Sequence, residues 1–166
     1  MKYEKSAGII IYFTEDKFSV SQNPKTKQQG FSDLDKEPKF LLLKYTNYWG
    51  FAKGIIEGNE SEQETAIREL EEETGIKNVK IIPGFKYEQE WFYRLNNENV
   101  KKKATFFLAK ITKEEAEKVK ISFEHEEFAW LTFSEAIEKM KIKNNKEMLK
   151  KAYEFIEEYE RQKKLV

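Results

Sequence analysis

There is no cysteine and only one histidine, His125, in the 166 residues. Disulfides, thiolate nucleophiles and cysteine-based zinc or iron–sulfur centres are thereby excluded, and so is a histidine-rich metal cage. Any catalytic metal must be held by oxygen, which points to Mg2+ or Mn2+. Net charge is missing too: 30 basic and 30 acidic residues cancel. No global field recruits an anionic membrane or nucleic acid, and no stable nucleic-acid partner is expected. No apolar run approaches the roughly 18 residues needed to span a bilayer. Met1–Lys5 opens directly into a strand-like run, so no secretory signal is expected and the protein reads as cytoplasmic. At this length one domain over residues 1–166 is the expectation. What is plentiful is aromatic: 13 Phe, 8 Tyr and 3 Trp supply a core despite 36% charged residues.

Lys5–Phe13 and Lys39–Lys44 are β-branched, aromatic or leucine-rich and short, and they predict buried strands. Between them Thr14–Pro38 is polar, punctuated by Pro24, Gly30 and Pro38, and predicts a long insertion that buries little. Tyr45–Asn59 carries Gly50, Gly54 and Gly58, the densest glycine spacing in the chain. Ser61–Thr74 is the clearest helix: Ser61 and Glu64 form a capping box and Gly75 stands at the C-terminal cap. Val79–Phe92 and Thr105–Ile111 predict strands joined through a polar turn at Asn96–Asn99, and Phe128–Leu131 predicts another. Thr132 and Glu135 form a second capping box for a helix to about Met140, and a last helix follows Asn144–Asn145 with Met148, Leu149, Ala152 and Ile156 on its apolar face. Strands around one early helix, then helices at the end, predict an α+β fold.

At about 100° per residue, Glu69, Glu72 and Glu73 fall on one narrow face of the first helix. Ala66, Ile67 and Leu70 fall on the face that can pack on a sheet. Arg68 lies four residues from both Glu64 and Glu72, inside the acidic cluster. One reading is a solvated acidic face laced to Arg68. The other is a cation site: like charges at this spacing oppose the helix, and hard divalent cations prefer such carboxylates. The glycines at 54 and 58 allow a sharp bend that aims Glu60 and backbone groups at the same place.

Gly54, five residues, Glu60, seven residues, then Arg68-Glu69-Leu70-Glu71-Glu72-Glu73-Thr74-Gly75-Ile76 resembles the complete Nudix box, with every fixed position filled. Ala7–Ile11 and Phe40–Leu43 look like that family's first core strands. Trp49-Gly50-Phe51-Ala52-Lys53-Gly54 is similar to a motif of the asymmetric diadenosine tetraphosphate hydrolases, with Ala52 where they have proline. Gly84-Phe85-Lys86, then Lys102 and Thr105–Ala109, look like the substrate-binding strands of that subgroup. The resemblance implies an α/β/α sandwich around a mixed β-sheet with the acidic helix packed on it.

It also implies a hydrolase in which water attacks phosphorus and Mg2+ or Mn2+ neutralises phosphate oxygens. Glu72 and Glu73 are then metal ligands, and Glu69 is a ligand or the water-activating base. Glu60 is a weaker candidate ligand, and Arg68 orients carboxylates; Gly54 and Gly75 shape the motif. Within Glu124-His125-Glu126-Glu127 the fourth ligand is expected at Glu124, with Glu126 or Glu127 as alternatives, and His125 is a candidate substrate contact. Lys53, directly before Gly54, is expected on phosphate, with Lys102 a weaker analogue. Trp49, Trp91, Tyr93 and Phe107 are candidate stacking surfaces for adenine, Phe107 and Tyr93 favoured by the resemblance. The implied reaction is diadenosine tetraphosphate to ATP and AMP. The alternatives are a 5′-RNA pyrophosphohydrolase, a nucleoside triphosphate or ADP-ribose pyrophosphatase, and a non-catalytic nucleotide-binding module, which would usually show a broken carboxylate set.

Overall fold

The computed structural model describes residues 1–16, 36–122, 125 and 127–165. Their elements run β1 (Lys2–Asp16), β2 (Lys36–Lys44), β3 (Trp49–Gly50), β4 (Ala52–Ile55), α1 (Glu62–Thr74), β5 (Tyr87–Leu95), β6 (Glu98–Lys110), α2 (Lys113–Glu117), β7 (Phe128–Leu131), α3 (Phe133–Lys139) and α4 (Lys143–Lys164). The strands form one mixed sheet in the order β3-β2-β1-β6-β5, with β4 added to β1 and β7 to β2. Among the described strands only β1 and β6 run parallel, in register from Lys2 opposite Val100 to Tyr12 opposite Lys110. Parallel neighbours need a long crossover, and everything from β2 to β5 lies between them in sequence.

Side chains alternate across a strand, and here the alternation divides two cores. Ile10, Tyr12, Phe106 and Leu108 point to one face, where Met148, Leu149, Ala152 and Ile156 of α4 cover them. Ala7, Ile9, Ile11, Phe107 and Ala109 point to the other, against Ala66 and Leu70 of α1. Helices on both faces of a mixed sheet make the expected α/β/α sandwich. Ser61 caps α1 with the reciprocal Glu64 bond, and Gly75 ends it in the left-handed conformation at φ 78°.

Several boundaries differ from expectation. The ends of the polar stretch are strand: Thr14 pairs with Pro38 and Asp16 with Lys36. Glu15 is held there by Lys113 at 2.8 Å, so these ends are anchored; residues 17–35 lie outside the described residues. The expected strand Val79–Phe92 is broken at Gly84, φ 101°, because β-branched Ile81 and Ile82 are separated from β5 by Pro83-Gly84. Of the first part only Ile81 bridges to Ala109. The β5–β6 turn has Asn96 at φ 49° and Asn97 at φ 62°, the paired left-handed residues of a tight hairpin. The glycine-rich stretch contains β3 and β4. A capping box at Thr112 and Glu115 starts the unanticipated α2. The last helix takes in Asn144 and Asn145 instead of following them.

Candidate active site

Strand β4 separates two environments one residue apart. Gly8 of β1 faces Lys53, and Ala7 faces Gly54. Lys53 therefore points to the α4 side of the sheet and Gly54 opens to the α1 side. A Cβ on Gly54 would collide with the carboxylate of Glu69, so the absent side chain is what lets helix α1 bring that carboxylate onto the strand.

Arg68 organises the acids. Its Nε donates to Glu60 Oε2 at 2.7 Å and its Nη2 to Glu60 Oε1 at 3.0 Å. Nη1 donates to Glu69 Oε1 at 3.0 Å and to both oxygens of Glu72 at 3.2 Å, while Nη2 also reaches the carbonyl of Ile55 at 3.0 Å. Glu60 further accepts from the Thr65 hydroxyl and the Glu57 amide. Arg68 first, then those bonds, hold its carboxyl down at about 2. Glu64, by contrast, is used in the Ser61 cap and not on Arg68. Glu69 goes the opposite way: burial pushes its pKa up against the pull of Arg68.

The three helix carboxylates are not alike in exposure. Glu72 has 57% of its side chain exposed, whereas Glu73 is buried. Glu73 therefore is not turned away from the core as the simple face argument requires. Its Oε2 lies 3.3 Å from His125 Nε2. His125, expected as a candidate substrate contact, is buried here, its ring edge-on to Tyr45 at 4.6 Å. The Ser122 amide donates to the Glu73 carbonyl, which ties this segment to the end of α1. Glu124 and Glu126 lie outside the described residues; Glu127 is exposed, with its carbonyl on the Lys44 amide.

On the α4 side, a cavity of about 350 Å³ is lined by Tyr48, Phe51, Lys53, Gln89, Trp91 and Phe106, with Gly50, Ile142, Asn144 and Asn145 completing it. Lys53 Nζ stands 5.4 Å over Trp91 and 5.9 Å over Tyr45, and Lys102 Nζ is 5.5 Å over Trp91. Burial first, then the neighbouring Lys102 charge, lower the Lys53 ammonium to about 8, with Glu73 opposing. Burial and the Glu73 charge push the Tyr48 hydroxyl up. The cavity and the carboxylate helix therefore share a field across β4.

Of the expected base platforms, the cavity takes Trp91 alone. Phe107 is a correction: it is buried in the α1-side core, and its neighbour Phe106 has the parity that faces the cavity. Tyr93 is spent on Glu4 at 3.0 Å. Trp49 lies beside Lys139, 4.9 Å from its ring, and lines a different recess. Gln89, Phe106 and Asn145 were not singled out in the sequence. Asn145 had a signal, a polar residue on the stripe of Met148, Leu149 and Ala152, and Gln89 shares the strand parity of Trp91.

The profile of the NUDIX domain matches residues 5–152. The chain is 34% identical to pig bis(5'-nucleosyl)-tetraphosphatase [asymmetrical] over 123 residues, 71% of this chain and 80% of the relative. It is 33% identical to the RNA pyrophosphohydrolase of Bartonella tribocorum over 93 residues, 56% of this chain and 46% of that protein. Among solved structures it superposes on a C. elegans Ap4A hydrolase binary complex with TM-score 0.69 and 25% identity, covering 92% of this chain and 97% of that one.

Proposed function

The chain belongs to the NUDIX family, and from its site we propose that it hydrolyses diadenosine tetraphosphate to ATP and AMP by water attack at phosphorus. One observation carries this reading. Adjacent residues of β4 present an ammonium to an aromatic cavity on one side and a glycine gap to a carboxylate on the other. A nucleotide with its base in the cavity and its phosphates crossing β4 meets both. The pig relative's name supports a dinucleoside polyphosphate as the substrate.

The side chains present fit a hard divalent cation in their chemistry. All the donors are carboxylate oxygens, the class a hard divalent cation takes, and Arg68 already meets Glu69 at 3.0 Å. Among the described residues no three acidic or histidine side chains are gathered as a ready ligand set. Glu69, Glu72 and Glu73 would hold Mg2+ or Mn2+, with Glu124 as a further ligand. When bound, the ion would neutralise phosphate oxygens and acidify water. Arg68 fixes Glu60, Glu69 and Glu72 relative to one another, which is orientation achieved before substrate arrives. Glu69 serves as ligand or water-activating base. Glu73 and His125 form the buried end of the acidic face. Lys53 donates to a phosphate oxygen, whose charge favours its protonated form; Lys102, 5.5 Å from the same Trp91 ring, supplies a second cation. The ring of Trp91 stacks on the base.

The second reading is removal of pyrophosphate from 5′-triphosphorylated RNA, favoured by the Bartonella relative. Product analysis separates the two. With Mg2+ present, the protein is offered diadenosine tetraphosphate, 5′-triphosphate RNA, nucleoside triphosphates and ADP-ribose. ATP plus AMP from the first is the expected result. Two ADP, or an untouched dinucleotide while RNA is processed, rejects the proposal.

A further inference from the structure

Stacking on Trp91 is indifferent to which base is present, because every base has a flat face. Discrimination must come from polar atoms at the base edge, and the cavity has two buried amides. Gln89 is 8% and Asn145 7% exposed, and both line the cavity. Gln89 Nε2 donates to Asn145 Oδ1 at 3.0 Å. The same nitrogen meets Met148 Sδ at 3.9 Å.

An amide NH2 has two protons, and both neighbours of this one are acceptors, the Met148 sulfur a weak one at 3.9 Å. Gln89 then offers the cavity only its Oε1, an acceptor. Asn145, its oxygen occupied, offers only its Nδ2, a donor. Met148 fixes this sense, since turning the pair round would set the Gln89 oxygen against a sulfur that is itself an acceptor.

We propose that the Gln89–Asn145 pair reads the edge of the bound nucleobase and selects a 6-aminopurine over a 6-oxopurine, with Met148 as the residue that sets its direction. This rests on the nucleotide-hydrolase reading of the same cavity. Adenine presents an N6 amino donor beside a ring-nitrogen acceptor, complementary to an acceptor beside a donor. A 6-oxopurine presents O6 where the donor should be, and Oε1 of Gln89 would face it acceptor to acceptor. The mismatch leaves buried polar atoms unpaired, which costs more than the match gains.

AMP and IMP differ only at this edge, and their Kd values can be measured by titration calorimetry without metal or turnover. The expected result is AMP bound about 10- to 100-fold more tightly, the range of one good two-bond base contact. Gln89→Met should bring the two Kd values within about threefold, chiefly by weakening AMP. Met148→Leu conserves core volume, so Tm should hold while the AMP preference shrinks. Equal Kd values for the wild-type protein, tighter IMP, no binding of either, or an unchanged preference in Gln89→Met would each overturn the proposal. Relative kcat/KM for diadenosine and diinosine tetraphosphate separates this from the parent reading. If AMP is preferred and neither dinucleotide is cleaved, base selection stands and the hydrolase reading fails. Equal cleavage of both defeats base selection alone.

Discussion

The Cα of Gly54 lies directly against the carboxylate of Glu69, where even a methyl side chain would coincide with the carboxyl group. A strand residue and a helix residue fifteen positions apart thus occupy complementary volumes, and the fit sets how close α1 sits to β4. The consequence is positional: Glu69 reaches the rim of the site with 13% of its side chain exposed, and its pKa rises through that partial burial.

Gly54→Ala should therefore displace Glu69 and not merely perturb the strand. We expect kcat to fall by about 10²-fold or more, the order seen when a reacting group is misplaced by about an ångström. Steady-state kinetics at saturating Mg2+ check this, and full activity in the alanine variant would show that Glu69 needs no such placement.

Glu72→Gln and Glu73→Gln should each lower the metal-dependent rate by at least about 10²-fold, through loss of charge at the ion. Their stabilities should part. Glu72 is largely exposed, and its variant should keep the wild-type Tm. Glu73 is buried beside His125, so its variant should lose about 1–3 kcal/mol in a denaturant titration. Equal turnover in both variants and wild type would remove the metal assignment.

Lys53→Ala should lower kcat/KM by roughly 10- to 100-fold, about 1.4–2.8 kcal/mol. A pH profile adds the sign. The free ammonium titrates at about 8, below its ordinary value, so its charge is present below that pH and lost above it. KM for the polyphosphate should rise as pH climbs through 8, and Lys53→Arg should move that limb to higher pH because guanidinium stays charged. An alkaline limb that persists unchanged in the arginine variant would assign it to another group.

Arg68→Ala releases Glu60 from the partner that holds its carboxyl at about 2. A depressed carboxylate stabilises the fold above its unfolded pKa, and that contribution disappears as pH falls toward the folded value. Between pH 4.5 and 2 the wild-type Tm should drop more steeply than that of Arg68→Ala, which has less to lose. Parallel Tm curves over that window would show that the Arg68–Glu60 pair does not contribute to acid sensitivity.

Trp91→Ala should act mainly on KM, since stacking is shared by ground and transition states and is worth about 1–3 kcal/mol. Phe107→Ala should act on stability instead, by about 3–5 kcal/mol, because it empties part of the α1-side core. Comparing KM and unfolding free energy for the two variants checks the division, and a KM effect in Phe107→Ala with unaltered stability would contradict it.

Much of this was readable along the chain. Helix α1, its Ser61–Glu64 box and its Gly75 stop follow from local hydrogen bonding, and a local interaction leaves its partners at fixed spacing. The carboxylate pattern of Glu69, Glu72 and Glu73 is likewise a matter of helical period. The sequence by itself therefore determined the family and the acidic helix. It could not determine which of Phe106 and Phe107 faces the cavity, because adjacent residues of a strand are distinguished only by its register with β1. Nor could it bury Glu73 against His125, or bring Gln89 to Asn145, 56 positions away. Those contacts exist only once the sheet has alternated its side chains and α1 and α4 have closed on its two faces, since burial and pairing at a distance are properties of packing and not of any one segment.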